Sequence, residues 1–355
     1  MRIGLKMMAG LVASTLVSGT VLAGDIADNA ALRYWRAWTL MDNAEEQPIF
    51  DIDLDSLGQP AWQHPEGMEA SLKDLEPFMD LIEEAAAMPA CDFGIDYHHG
   101  FEALLPHLRA VRKTVKLLAV DARVHLDAGD TDECIDRLVA AYGITSDIVD
   151  DRTLISSLVT MASFKALEPV TDFTVEHGAL TNAQATRLLD AIEVFDAEDP
   201  FNIRASMLTE RDMVGNWVRR HLGDPEVRRE VGQALQVGTP KNELSKEGQR
   251  LFDVLGLLSG ADDISDADLR LMGEILVNNE DLQKDIRLYE EFFELAVATF
   301  EDPEGLGDLR KLESALEAGD FGRLSLYLAP AITRMHSNYW TSRDMITEAK
   351  ERFAE

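Results

Sequence analysis

The sequence predicts an all-α fold in which antiparallel helical hairpins pack as an irregular α-solenoid or bundle. Apolar residues recur at steps of three and four along most of the chain, which is the period of an amphipathic helix. Short Gly-Asp turns separate two pairs of such stretches, at Gly129-Asp130 and at Gly319-Asp320. The alternation of polar and apolar residues that is typical of β-strands is not sustained over any convincing length.

The clearest hairpin lies within residues 91–164. Its first helix is predicted to begin near Phe101 and to carry an apolar stripe formed by Leu104, Leu108, Val111, Val115, Leu118 and Ala122. Gly129 can adopt a positive φ at the turn, and Asp130 or Thr131 can cap the second helix. The two helices are therefore predicted to fold back on each other.

Further helices are predicted on both sides of this hairpin. A short N-terminal helix covers residues 29–41, and another helix ends before Pro89. A third central helix begins near Asp151 and contains Pro169, where we expect a kink or a break because proline cannot donate the helical hydrogen bond. The sequence Thr181–Gln184 has the form of a capping box and predicts the start of the next helix.

Apolar periodicity continues through the C-terminal half. The stretch 223–245 contains Gly238-Thr239-Pro240 and is the most linker-like part of the chain. After removal of residues 1–23, we predict a single all-helical domain over residues 24–355, and any subdivision is expected near 223–245.

Residues 1–23 have the features of a cleavable signal peptide. Arg2 and Lys6 form a basic start, a mostly apolar stretch follows, and Val21-Leu22-Ala23 places small residues at the end. The alternative is an uncleaved membrane anchor, but the apolar stretch is short and contains Gly, Ser and Thr. We therefore expect an exported soluble protein, periplasmic or extracellular, with no membrane span after signal cleavage.

Acidic residues dominate the composition. The chain has 65 Asp and Glu against 33 Lys and Arg, for a formal net charge of −32. Such a surface repels nucleic acid, so we expect no nucleic-acid binding. Export would permit a disulfide between the two cysteines, Cys91 and Cys134. We expect both thiols to remain free, because the predicted helix length places them far apart.

The segment Asp92–His99 holds the residues best suited to catalysis, namely Asp92, Asp96, His98 and His99. Carboxylates and imidazoles can bind a metal or act as an acid–base pair, so one hypothesis is a hydrolase-type or metal-dependent enzyme that uses this loop. The alternative is a structural loop whose rings fix the start of the following helix. We favour the structural interpretation and expect no metal or cofactor, because no metal-binding partner occurs at a suitable spacing.

Four cations follow on the first helix of the hairpin and form what we call the basic stripe: Arg109, Arg112, Lys113 and Lys116. Arg123 extends the pattern, and no acidic residue interrupts 103–120. The stripe could bind an anionic ligand or an acidic partner. Alternatively, it pairs with acids such as Asp132 on a neighbouring helix, where each exposed pair would contribute only ~0–1 kcal/mol.

No nucleophile elbow, P-loop, dinucleotide-binding glycine motif or paired-cysteine motif is present in the sequence. The Leu-Asp-Ala-Gly-Asp and Leu-Glu-Ala-Gly-Asp turns resemble those of tetratricopeptide-type hairpins, although the 34-residue period is missing. The segments NAALRYWRAW, CDFGIDYHHGFEALLPHLRAVRKTVKLLAVDARVHLDAGD and DDRTLISSLV resemble a family of uncharacterised exported bacterial helical proteins. The resemblance covers residues 29–195 and implies an all-helical fold and an extracytoplasmic address, but no activity.

These observations predict a non-enzymatic protein that binds or scaffolds a protein partner in the cell envelope. Helical hairpins bury one side on their neighbours and leave the other side free for binding. The basic stripe is the predicted binding surface, because it stands out from a chain that is acidic elsewhere.

The signal peptide predicts that the mature protein begins at Gly24, because Val21-Leu22-Ala23 supplies the small residues that signal peptidase requires. The intact mass of the exported protein should lack residues 1–23. An envelope-bound protein whose mass still includes Met1 would show that the segment is an anchor.

Overall fold

In the computed structural model, the all-α prediction is confirmed: the described residues form fourteen α-helices, several short 3₁₀ turns and no β-strand. The structure describes residues 28–41, 48–97, 103–258, 266–277, 279–322, 325 and 332–354. Residues 1–23 lie outside these ranges, so the signal peptide stays a prediction. No helix among the described residues is long and apolar enough to cross a membrane.

The first seven helices are α1 (Ala30–Trp38), α2 (Met68–Asp74), α3 (Glu76–Ala86), α4 (Pro106–Asp127), α5 (Thr131–Asp147), α6 (Leu154–His177) and α7 (Asn182–Glu193). The remaining described helices are α8 (Ile203–His221), α9 (Pro225–Val237), α10 (Lys246–Leu258), α11 (Asp266–Val277), α12 (Asn279–Thr299), α13 (Leu306–Glu317) and α14 (Ile332–Ala354). Two 3₁₀ turns, Pro48–Asp51 and Leu54–Gly58, lie against α4.

The predicted start of the first hairpin helix near Phe101 is wrong, because α4 begins at Pro106. Proline disfavours helical geometry in the residue before it, and its fixed φ and missing N–H suit the first helical position. Leu105 accordingly has φ −117° and ψ 57°. Leu104, which the periodicity placed in the apolar stripe, is 82% exposed. The rest of the stripe is buried as predicted.

The predicted Gly-Asp turn is confirmed. Gly129 has φ 81°, and the amide of Asp130 donates to the carbonyl five residues earlier at 2.9 Å. Gly319 has φ 85°, and the amide of Asp320 makes the same bond at 3.0 Å. Only a residue that tolerates positive φ can close a helix in this way. The two turns therefore have the same backbone geometry.

Helices α4 and α5 form the most extensive pair in the N-terminal half, and α6 packs against both. Helix α1 packs on α3, which in turn packs on α5, and α7 covers another side of α5. In the C-terminal half α8 packs on α12, and α9 packs on α11. Helix α14 contacts α6 and α7, so it joins the end of the chain to the central helices.

Helix α6 runs unbroken through Pro169, so a break at this position is wrong. The predicted capping box is present, since Thr181 accepts from the amide of Gln184 and the Gln184 side chain accepts from the amide of Thr181. Most of the stretch 223–245 is helix α9, whose first turn is capped by Asp224. The prediction of a subdivision in this stretch stays a prediction.

A buried guanidinium joins three helices. Arg137 of α5 is fully buried, and its Nε donates to Asp121 of α4 at 2.7 Å. Its Nη1 donates to Glu83 of α3, and its Nη2 lies 2.7 Å from Glu76 and 2.8 Å from Glu133. Burial alone would lower the pKa of Arg137, but its bonds and nearby negative charges raise that pKa above the ordinary value.

We expect Arg137→Met to lower the free energy of unfolding by about 3–5 kcal/mol, because it leaves the Asp121 carboxylate buried without its partner. Urea denaturation followed by circular dichroism measures the loss. Arg187→Met is the matched control, since it removes an exposed ion pair to Asp136 and should cost less than about 1 kcal/mol. Equal losses in the two variants would contradict a central role for Arg137.

Candidate functional site

The four residues of the basic stripe lie together on one side of α4. Arg109 and Arg112 are exposed, whereas Lys113 and Lys116 are half-buried. Residues three, four and seven positions apart on a helix share a face, so the sequence spacing alone brings these cations together. The stripe therefore presents its charges as a line along α4.

Arg123 does not continue the stripe at the surface, because it is only 1% exposed. Its Nη1 donates to the carbonyl of Leu57, and its Nη2 donates to that of Gln59 at 3.2 Å. Its Nε donates to Asp127 at 3.0 Å, and its guanidinium carbon lies 3.7 Å from the centre of the Phe173 ring. Arg123 therefore attaches the 3₁₀ turn Leu54–Gly58 to α4 and α6.

Beside the basic stripe, a cavity of about 700 Å³ lies between α4 and α6. Its walls are mostly apolar and are contributed by α4, α6 and the two 3₁₀ turns. We call this site the α4–α6 groove; besides the basic stripe, its lining consists of Phe50, Leu54, Leu105, Leu108, Val115, Ile155, Val159, Ala162, Ser163 and Ala166. A mostly apolar cleft of this size with a few polar groups is typical of a binding site.

Lysines of the stripe hold one wall of the groove in place. The Nζ of Lys116 donates to the carbonyl of Phe50 at 2.7 Å, and the Nζ of Lys113 lies 5.8 Å from the centre of the Phe50 ring. Burial lowers the pKa of Lys116, although nearby acids oppose this effect. Arg112 makes no ion pair with any residue that the structure describes, so its charge is available at the groove edge.

Ser163 places an unsatisfied hydroxyl in the groove lining. The residue is 3% exposed, and its Oγ has no hydrogen-bond partner among the described residues. Nearly all buried polar atoms in proteins are hydrogen-bonded. A ligand that offers a polar group at this point would therefore gain a hydrogen bond inside an otherwise apolar wall.

The Asp92–His99 loop is fixed at its beginning by Asn29, the N-cap residue of α1. The amide of Asp92 donates to Asn29 Oδ1 at 2.8 Å, and its carbonyl accepts from Asn29 Nδ2 at 2.8 Å. Its carboxylate accepts from the amide of Gly94 at 2.8 Å. Asp92 and Asp96 are both exposed. The loop is thus anchored through its backbone, and the Asp92 carboxylate shapes a turn.

The histidines that would complete a catalytic loop, His98 and His99, lie outside the described residues. Among the residues that are described, no group of three His, Cys, Asp or Glu side chains could hold a metal ion. The hypothesis of an enzyme that uses this loop stays a prediction.

A buried His–Asp pair lies next to the loop and was missed in the sequence. His107 Nε2 is 2.5 Å from Asp151 Oδ2, and the fully buried ring stacks on Phe93 with 4.4 Å between centres. Asp151 also accepts from Ser156 Oγ at 3.3 Å. Burial and the nearby Asp151 raise the pKa of Tyr97. This cluster ties the start of α4 to the start of α6.

The two cysteines are free and lie at opposite ends of α5. Cys134 is fully buried at the start of the helix, with its Sγ 3.5 Å from Thr174 Oγ1, and burial raises its pKa to about 11. Cys91 lies near Asp147 at the end of the helix, and burial raises its pKa as well. Neither thiol is activated as a nucleophile, since the reactive form is the thiolate.

No protein-family model, curated protein or solved structure matches this chain. The resemblance to uncharacterised exported bacterial proteins therefore stays a prediction.

One carboxylate near this loop links the stability of the protein to pH. Asp147 accepts from the Tyr34 hydroxyl at 2.5 Å, yet burial outweighs this bond and raises the pKa of Asp147 to about 6. Its ordinary value is 3.8. Below pH ~4 the acid is neutral in both states, and the contribution to stability is lost as the pH rises through about 6.

We expect Asp147→Asn to remove this pH dependence, because the amide keeps an acceptor for Tyr34 but does not ionise. Between pH 4.5 and 7.5 the wild type should lose about 2 kcal/mol more stability than the variant. Urea denaturation at the two pH values measures the difference. Asp150→Asn, at an exposed neighbouring acid, should follow the wild type. Parallel profiles for Asp147→Asn and wild type would contradict the shifted pKa.

Proposed function

We propose that this protein is an exported, non-enzymatic binding protein that holds a protein partner of the cell envelope in the α4–α6 groove. One observation carries the proposal: an apolar groove is lined by four cations in a chain whose formal net charge is −32. Clustered charge of the minority sign guides a partner of the opposite sign and sets its orientation. The partner is therefore acidic where it meets the basic stripe and apolar beside it.

Exposed apolar side chains at the groove support this proposal. Ile155 of the groove lining is 54% exposed. Leu104, which precedes the groove residue Leu105, is 82% exposed. A contiguous apolar surface rimmed by charged residues is typical of an interaction site. A partner that covers them would gain hydrophobic burial in addition to the charge pairing.

The way in which the central hairpin uses its cations supports a binding role for the basic stripe. Arg123 and Arg137, two other cations of the central hairpin, are buried and bonded to oxygen atoms within the protein. Arg112, in contrast, is exposed and makes no ion pair with the described residues. A cation that contributes nothing to the internal network is available to an external carboxylate.

Charge reversal tests the proposal. We expect Arg112→Glu/Lys116→Glu to weaken capture of a partner from an envelope extract at least tenfold, because the stripe then repels carboxylates. The matched control is Lys246→Glu/Arg250→Glu, which has the same spacing on exposed positions of α10 and should capture normally. Quantitative pull-down of the captured protein measures the effect, and circular dichroism checks the helical content.

Normal capture by the stripe variant would show that the groove is not the binding site. Lys116 also bonds to Phe50, and a loss of helical signal in this variant would mean that breaking this bond had disturbed the fold. Arg112→Glu alone then decides, because this side chain is exposed and makes no ion pair with the described residues. A photo-crosslinking residue at Ile155 should in addition form an adduct with the partner, whereas one at Val277, exposed on α11, should not.

A further inference from the structure

The α6 wall of the groove has the pattern of a helix that faces another helix. Ile155, Val159, Ala162 and Ala166 line the groove and follow one another at steps of four, three and four residues. Alternation of these steps is the pattern by which one helix contacts another along a shared seam. Helix α4 supplies the opposite wall, so two helices already flank an open third position.

Small side chains along this seam allow another helix to pack closely against α6. Ala162, Ser163 and Ala166 are consecutive contributors to the groove lining. The distance between packed helices depends on the side chains at their contact, and small ones bring the axes together. Ala162 is exposed in spite of its place in the seam. The wall is therefore shaped for a backbone and its short side chains as well as for a long apolar group.

The dimensions of the groove set the length of its occupant. Ala166 lies eleven positions after Ile155, which corresponds to roughly 16 Å or three helical turns at 1.5 Å per residue. The cations from Arg109 to Lys116 extend over about 10 Å of α4 by the same measure. A ligand that follows the stripe along this length carries more than one negative charge.

We propose that the occupant of the α4–α6 groove is an amphipathic α-helix of a partner protein, about 12 residues long, with Asp or Glu beside its apolar stripe. This inference rests on the proposed function and specifies the part of the partner that binds. Apolar side chains of that helix pack on the α6 seam, and its carboxylates pair with the basic stripe. A polar side chain of the same helix meets the Ser163 hydroxyl. A fatty acid fits less well, because its one carboxylate meets the stripe at a single point, whereas the stripe extends over about 10 Å of α4.

Two helical peptides test the inference with the full-length mature protein. Both are hydrocarbon-stapled 14-residue peptides with leucine at heptad positions a and d; one carries Glu and the other Lys at positions e and g. Fluorescence anisotropy measures binding. We expect the Glu peptide to bind and the Lys peptide not to bind. Arg112→Glu/Lys116→Glu and Ala162→Trp should each weaken binding of the Glu peptide at least tenfold, the first by repulsion and the second by filling the seam.

Lys246→Glu/Arg250→Glu is again the matched control and should bind the Glu peptide as the wild type does. Equal binding of both peptides, or no binding of the Glu peptide up to millimolar concentration, would overturn the helix proposal. Stoichiometric binding of oleate that is lost in Ala162→Trp, together with no peptide binding, would assign the groove to a lipid anion. The proposed function is tested separately by the pull-down experiment. It fails if the groove variants capture the envelope partner as well as the wild type does.

Discussion

The buried guanidinium of Arg137 is the constraint on which the arrangement of the central helices depends. It meets carboxylates from α3, α4 and α5 at one point, and a rotation of α4 or α5 would break the bond between the buried charges of Asp121 and Arg137. Its bond to Asp121 also sets the rotation of α4. Asp121 lies nine positions after Arg112, at about 100° per position, so the two side chains point to opposite sides of the helix. Fixing Asp121 inward therefore turns Arg112 outward, towards the groove.

A second buried cation forms the other side of the site. Arg123 bonds to the carbonyls of Leu57 and Gln59 and thereby holds the 3₁₀ turn Leu54–Gly58 against α4 and α6. The preceding 3₁₀ turn contributes Phe50 to the groove wall, where Lys116 bonds to its carbonyl. The central hairpin thus uses its cations in two ways. Arg123 and Arg137 are enclosed and fix the helices, and the basic stripe remains at the edge of the cavity that this packing leaves open.

Features with a local cause were accessible from the sequence. The Gly129 turn, the Thr181 capping box and the helical character of the chain depend on residues within one or two turns of each other, so their patterns predict them. The start of α4 also has a local cause. Pro106 disfavours helical geometry at Leu105, and this effect outweighs the apolar periodicity that extends to Leu104.

Features that depend on distant residues were not accessible in this way. Arg123 shares a periodic face with the basic stripe, and only the turn that covers it makes it a buried structural residue. His107 and Asp151 are separated by 44 positions, and no spacing rule connects them. The sequence identified the cationic wall of the groove, because it lies on one helix. The apolar wall lies on α6, and its position opposite the cations depends on the packing of α4 against α6.

The overall charge of the protein constrains how such a groove can recognise an acidic helix. A formal charge of −32 repels any acidic partner at long range. Charges on a solvent-exposed surface are largely screened beyond about 8 Å at physiological ionic strength, whereas partly buried groups are screened much less. Successive cations of the stripe follow one another at steps shorter than that distance along α4, and the apolar wall excludes water beside them. Attraction therefore exceeds repulsion only for a partner that is already in register with the stripe. An acidic segment without the matching apolar face gains too little at short range to offset the repulsion of the remaining surface.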